Sequence, residues 1–302
     1  MIIGISGKIG SGKDTAAKMF QHLYYCATNP WPATYRDYLY NEDAFYKSPL
    51  EIKKFATKLK QIISLLTGIP VEDLEKEEVK ARVLGEEWTR YGKADGFWYH
   101  SSDDPSRKLM DNVQCSKEEY EAELRTNWQT AYKQEFTPRL LLQYIGTDLF
   151  RSKINTDIWV NALFADYNPL YTMKEIDRST MARTEVDHLV HPTWIISDVR
   201  FPNEVEAIKD RGGIVVRINR PPYERFKSNN PNLNHREAEE MDNESLQAAS
   251  DYYDRTVTKT PPHISETALD DYEFDHVIDN NGTLEELYEK LKSLNLFTNG
   301  SI

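Results

Sequence analysis

Apolar and polar positions are patterned most clearly at the two ends of the chain. Ile2-Ile3-Gly4-Ile5 is a short continuous apolar run that reads as a buried strand. Beyond a glycine-rich segment, Ala16, Met19, Phe20 and Leu23 recur at the i, i+3, i+4, i+7 spacing of one helical face. The order is strand, loop, amphipathic helix. Trp194-Ile195-Ile196 predicts a second strand, 203–211 a helix closed by Gly212-Gly213, and 214–218 a third strand. Strands joined by a helix-length crossover run parallel. Val277-Ile278 adds a strand candidate. Thr283 and Glu286 then have capping-box spacing, ahead of Leu284, Leu287, Leu291 and Leu294 on one helical side.

Between these ends, residues 51–67 place Ile52, Phe55, Ala56, Leu59, Ile62, Ile63 and Leu66 on one face, predicting a continuous helix that stops at Gly68-Ile69-Pro70. Leu140, Leu141, Tyr144, Ile145 and Leu149, then Trp159, Leu163 and Phe164, carry helical periodicity through 138–166. Residues 71–135 are charged and aromatic, with turn signals around 92–105, and read as an inserted subregion. Residues 221–262 are polar, punctuated by proline and too long for a plain connection, so a lid or excursion is expected there. The whole reads as one α/β domain over 1–302, with a parallel sheet and helical insertions.

Composition narrows the function classes. A chain of 302 residues can bury a substantial core, and 39% hydrophobic with 28% charged residues is ordinary for a water-soluble protein. No apolar run reaches the length of a membrane span, and the apolar start lacks a basic lead-in or cleavage site, so no membrane partner and a cytoplasmic location are expected. A net charge of −12 opposes binding to polymer nucleic acid, although aimed N–H groups and a few cations can still hold a nucleotide. Cys26 and Cys115 have no metal or disulfide spacing and are expected as free thiols.

The candidate chemistry lies in Gly7-Lys8-Ile9-Gly10-Ser11-Gly12-Lys13, a GxxxxGK loop followed by Asp14-Thr15 in place of an immediate Ser or Thr. Glycines let the loop wrap phosphate oxygens with inward N–H groups, the helix adds its N-terminal partial charge, and Lys13 reaches the β- and γ-phosphates. Gly7, Gly10, Ser11, Gly12, Lys13, Asp14 and Thr15 are therefore the candidate set for binding a nucleoside triphosphate. An anion beside a triphosphate asks for Mg²⁺, making Asp14 and Thr15 candidate metal ligands; the alternative for Asp14 is a carboxylate favoured by the helix dipole. At the second strand, Ser197-Asp198-Val199-Arg200 offers a metal-proximal Asp198 and a phosphate-binding Arg200, against a helix cap and a structural ion pair. The Asn-Lys-x-Asp pattern of guanine-specific GTPases is absent.

The chain resembles the deoxynucleoside monophosphate kinases of bacterial viruses. The resemblance is carried by the glycine loop, by residues 137–148 (Thr-Pro-Arg-Leu-Leu-Leu-Gln-Tyr-Ile-Gly-Thr-Asp) continuing to Asp157-Ile158-Trp159, by Ser197 to Glu204, and by His263-Ile264-Ser265-Glu266. A closing segment over 279–287 and a weaker one around Phe55-Ala56, Leu59-Lys60 are also similar; at the latter the family implies a strand-to-helix turn. The resemblance implies a three-layer fold of the P-loop nucleoside-kinase type, ATP as donor with Mg²⁺, a deoxynucleoside monophosphate as partner, and catalytic roles for Lys13 and Arg200. It also implies that Arg139, Gln143, Trp159 and Arg200 bind the acceptor. Read from the residues alone, Arg139 and Gln143 could face solvent and Trp159 could be core. Arg220 is a further arginine candidate at the start of the excursion, and a homodimer is an open expectation for assembly. The competing readings are a P-loop kinase of another phosphorylated metabolite and a nucleotide-binding switch with little turnover.

Overall fold

The computed structural model describes residues 1–29, 31–41, 50–94, 112–126, 131–172, 188–220 and 264–297. The expected lid over 221–262 and the His263 of the family segment lie outside the described residues. The strands in chain order are β1 Ile2–Ser6, β2 Glu51–Lys53, β3 Thr89–Ala94, β4 Asn112–Gln114, β5 Ala131–Glu135, β6 Leu170–Thr172, β7 His188–Val190, β8 Trp194–Val199, β9 Ile214–Asn219 and β10 His276–Asp279. The described residues divide into two compact units, one containing Met1–Phe55 with the described parts of 160–250 and 264–302, the other the described parts of 56–159.

The first unit is built on a five-stranded sheet in the order β10-β9-β1-β8-β2, with every neighbouring pair parallel. β1 and β8 are buried at every position, as strands covered on both faces must be. Ile3 and Ile5 pack with Met19 and Phe20 of the helix Lys13–Thr28 and with Leu287 and Leu291 of the helix Leu284–Ser293. Gly4 faces the other way, where an added Cβ would lie 2.8 Å from Cδ1 of Ile208 in the helix Pro202–Lys209. Helices thus flank the sheet on both faces, giving the three-layer α/β arrangement expected. The Thr283–Glu286 capping box is formed in both directions, with bonds of 3.1 and 3.2 Å.

This order fixes where a ligand can bind. The chain leaves β1 for β2 at one edge, then returns to β8 and crosses to β9 on the far side of β1. The winding therefore reverses between β1 and β8, and the crevice outside their carboxyl ends is the natural site of such sheets. The register between these two strands slips between Gly4 and Ser6, giving β8 one extra residue near its end. Such bulges re-aim side chains.

Two expectations need correction. Residues 51–67 are not one helix: 51–53 pair with β8, and the helix runs over Ala56–Thr67. The physical reason is Asp198, whose Oδ1 accepts the Phe55 N–H at 2.7 Å and closes the strand-to-helix turn that the family resemblance implied. Gly92, where turn signals were expected to begin, lies within β3 and pairs with Gln114 and Tyr132.

In the second unit β4-β3-β5 form an antiparallel sheet beside the helix Lys117–Thr126, so the charged insertion has a framework of its own. The helix Pro138–Gln143 is capped by Thr137, which accepts the Leu140 N–H at 3.1 Å. It runs directly into a π-helix over Tyr144–Ile154.

Candidate phosphate-binding site

The glycine loop connects the end of β1 to the helix Lys13–Thr28. Gly12 is the helix N-cap at φ 91°, and no side chain caps the first turn. The first three N–H groups of a helix have no intrahelical acceptor, so this end presents donors to an anion. Glycine is required at position 12 twice over: the conformation is left-handed, and a Cβ would lie 2.5 Å from Asn280 Nδ2. That amide donates to the Ser11 carbonyl at 2.9 Å and ties the loop to the end of β10. Gly10 also has positive φ, and at Gly7 a Cβ would meet Ser11 Oγ and the Ile218 carbonyl. Ser11 Oγ is buried with no hydrogen-bond partner among the described residues. A bound phosphate oxygen would satisfy it.

Lys13 is the centre of the electrostatics. Burial, aided by the nearby Arg200 guanidinium, pushes its pKa down to about 8, against the upward pull of Asp14 and Asp198. Its Nζ lies 3.5 Å from the Lys8 carbonyl. Asp14 accepts the Lys54 ammonium at 3.2 Å and the Ser197 hydroxyl at 3.3 Å on the same oxygen. Burial raises the Asp14 pKa, but Lys54, Lys13 and Ser197 together outweigh it and hold the carboxyl below its usual value. Thr15, half-buried, occupies the next position of the same helical turn.

Arg200 leaves the end of β8. Its guanidinium pairs with Glu266 and lies 3.5 Å from Ser265 Oγ, while its backbone N–H is held by Glu204 at 2.8 Å. Asp198 is buried, and its bond to Phe55 N–H gives it a backbone-anchoring role. Arg220 donates to the Gly10 carbonyl at 3.1 Å, placing this candidate at the loop.

Several neighbours were not legible as site residues. Asp270 joins Lys8 at 3.0 Å to Arg217 at 3.4 Å, and Arg217 also donates to Ser6 Oγ at 3.0 Å. Lys54, Glu204 and Asn280 were likewise unassigned. Glu204 and Asn280 lie inside the segments that resemble the kinase family, which is the signal that could have found them.

The acceptor candidates lie in the second unit. Arg139 pairs with Glu77, and Gln143, one turn later, is half-buried. Trp159 is 6% exposed, donates its indole N–H to the Gly146 carbonyl at 2.8 Å and packs 5.6 Å from the Phe150 ring. It therefore braces the π-helix against the segment that follows. Among the described residues no group of three or more His, Cys, Asp or Glu forms a metal cluster. Asp14 and Thr15 nevertheless fit Mg²⁺ bound largely through phosphates and water, which needs only one or two protein oxygens.

The fold and site define an α/β protein with a glycine loop at the switch point of a five-stranded parallel sheet. No family model matches the chain. It is 25% identical over 224 residues to the deoxynucleoside-5'-monophosphate kinase of Escherichia phage T5, covering 70% of this chain and 72% of that protein. It is 36% identical over 87 residues to a protein of Acanthamoeba polyphaga mimivirus provisionally named a deoxynucleotide monophosphate kinase. That match covers 28% of this chain and 40% of the relative's length. The resemblance to deoxynucleoside monophosphate kinases is thus borne out by two separate relatives.

Proposed function

We propose that the protein transfers the γ-phosphoryl group of ATP to the phosphate of a deoxynucleoside monophosphate, giving the diphosphate and ADP. The observation that carries this reading is the uncapped helix start behind the glycine loop, with the partly buried Lys13 in its first turn and Arg200 near enough to oppose the Lys13 charge. The names of the two relatives support the choice of acceptor.

Little acid–base chemistry is needed. A phosphate monoester has a second pKa near ~6, so its attacking oxygen is already anionic at neutral pH. The work left to the chain is to hold two polyanions in line and offset charge on the transferring group. In this reading the first-turn N–H groups and Ser11 Oγ hold the triphosphate, and Lys13 neutralises its terminal charge. Arg200 exchanges its Glu266 partner for phosphate oxygens, which its planar fork can bind in pairs. Asp14 and Thr15 would hold Mg²⁺, which supplies charge neutralisation across the phosphate oxygens. Asp198 and Glu204 act by fixing the backbone on either side.

On the acceptor side, the resemblance supports Arg139 on the monophosphate and Gln143 on the base; Trp159, which the resemblance also puts at the acceptor, is read as a positioning residue because it is buried and bonded to the Gly146 carbonyl. The test is transfer of label from ATP radiolabelled at its γ-phosphate into a deoxynucleoside diphosphate. Wild type is expected to form labelled diphosphate, and Lys13→Ala, with an unchanged circular dichroism spectrum, to lose about 100-fold or more. Label released only as inorganic phosphate would refute the reading.

A further inference from the structure

The proposed mechanism leaves Lys54 without a role. Lys54 follows the last residue of β2, the edge strand beyond β8, and its ammonium lies 3.2 Å from Asp14 Oδ1. The backbone at this point is fixed, because the next residue, Phe55, donates its N–H to Asp198. Asp14 is fixed in turn by Ser197, the residue before Asp198 in the stretch where β8 carries its extra residue. One network therefore ties the end of β2, the end of β8 and the first turn of the loop helix.

That network brings a second lysine to the loop. Lys54 is close enough to Lys13 to oppose its charge, and Arg200 does the same from the end of β8. Cations that oppose one another's charge in this way favour a polyanion that joins them, even with Asp14, Asp198 and Glu266 as their present partners. The Asp14–Lys54 pair is also partly open to water, with side chains 65% and 27% exposed. Such pairs add little stability and are readily exchanged for a stronger anion. Direction along the phosphate chain follows from the loop's other tethers: Asn280 and Arg220 hold Ser11 and Gly10 from the ends of β10 and β9, whereas Lys13 has its charged neighbours on the β8 and β2 side. The end of the chain that Lys13 serves is therefore the end nearest Lys54.

Resting on the nucleotide-site reading above, we propose that Lys54 is a further phosphate-binding residue, held at the loop by Asp14 until the terminal phosphoryl group of a nucleoside triphosphate takes its ammonium. Asp14 then has a second task beside metal binding: it stores the lysine where the γ-phosphate will arrive. This accounts for an acid at the position where a hydroxyl residue ordinarily follows the loop lysine.

The test is equilibrium titration of the full chain with a non-hydrolysable ATP analogue and with ADP, at fixed Mg²⁺, in wild type, Lys54→Met and Lys54→Arg. Lys54→Met is expected to weaken triphosphate binding about tenfold or more while changing ADP affinity less than about twofold, with Lys54→Arg restoring most of the loss. Equal losses for both nucleotides, or an unchanged triphosphate affinity, would overturn the assignment. If wild type binds both nucleotides as described yet phosphorylates no monophosphate, the kinase reading falls and Lys54 keeps its role; if wild type binds no triphosphate, both fall.

Discussion

Lys13 carries the most informative single charge in the molecule. Its ammonium is held down by burial and by Arg200, so in the free protein it titrates at about 8, not 10.5. Bound phosphates favour the charged form and raise that value, so binding above this pH requires proton uptake. Triphosphate affinity is therefore expected to be flat well below pH 8 and to fall by up to about tenfold per pH unit above it. The fall should vanish in Lys13→Met, as titration calorimetry across pH can check. Arg139 supplies a second prediction at this scale. Every acceptor presents the same phosphate, so Arg139→Ala should lower kcat/KM for all deoxynucleoside monophosphates by a similar factor, about 30- to 1000-fold. ATP affinity should not change. Steady-state kinetics on four acceptors would show a base-selective loss if Arg139 served the base instead. The present partner of Arg139, Glu77, is an exposed carboxylate that a phosphate can replace.

The loop and its helix behave as one element, and Gly12 is where it is least tolerant. Gly12→Ala must adopt a left-handed conformation and displace the Asn280 amide, an expected cost of about 1–2 kcal/mol in urea unfolding together with a loss of triphosphate affinity. Thr283→Ala, which removes the cap of the helix Leu284–Ser293, should cost about 1 kcal/mol and leave nucleotide affinity unchanged. These elements were legible because their signals are local: glycine spacing, a helical apolar stripe, a capping box. The strand β2 was not, since Ile52 and Phe55 fit a helical face as well as a short strand, and the decision is made by Asp198, far along the chain. The same distance hid much of the loop's surroundings. Asp270 lies 262 residues from Lys8 and Asn280 lies 269 from Ser11, so no local pattern announces either contact. Trp159 shows the reverse limit: a motif supplied its position, but only packing reveals its bond to Gly146.

At the scale of the whole molecule, sheet order turns scattered residues into a site. The 2-3-1-4-5 order of the parallel strands, counted along the chain within this sheet, puts the ends of β1 and β8 side by side at the reversal of winding. Lys13, Asp14, Asp198 and Arg200 meet there although 184 to 187 positions separate the two pairs at their nearest and farthest. Charge at this scale is no obstacle: a net −12 disfavours a polyanionic polymer but not a nucleotide held by a few aimed groups. If these groups serve phosphoryl transfer to a nucleotide acceptor, ADP release from ATP depends on which acceptor is present. A panel of acceptors should hold the deoxynucleoside monophosphates, other phosphorylated metabolites and a blank. ADP release that depends on a deoxynucleoside monophosphate, and is lost in Lys13→Ala, is the expected result; release stimulated only by another phosphorylated metabolite, or tight ATP binding with no acceptor stimulation, would contradict it.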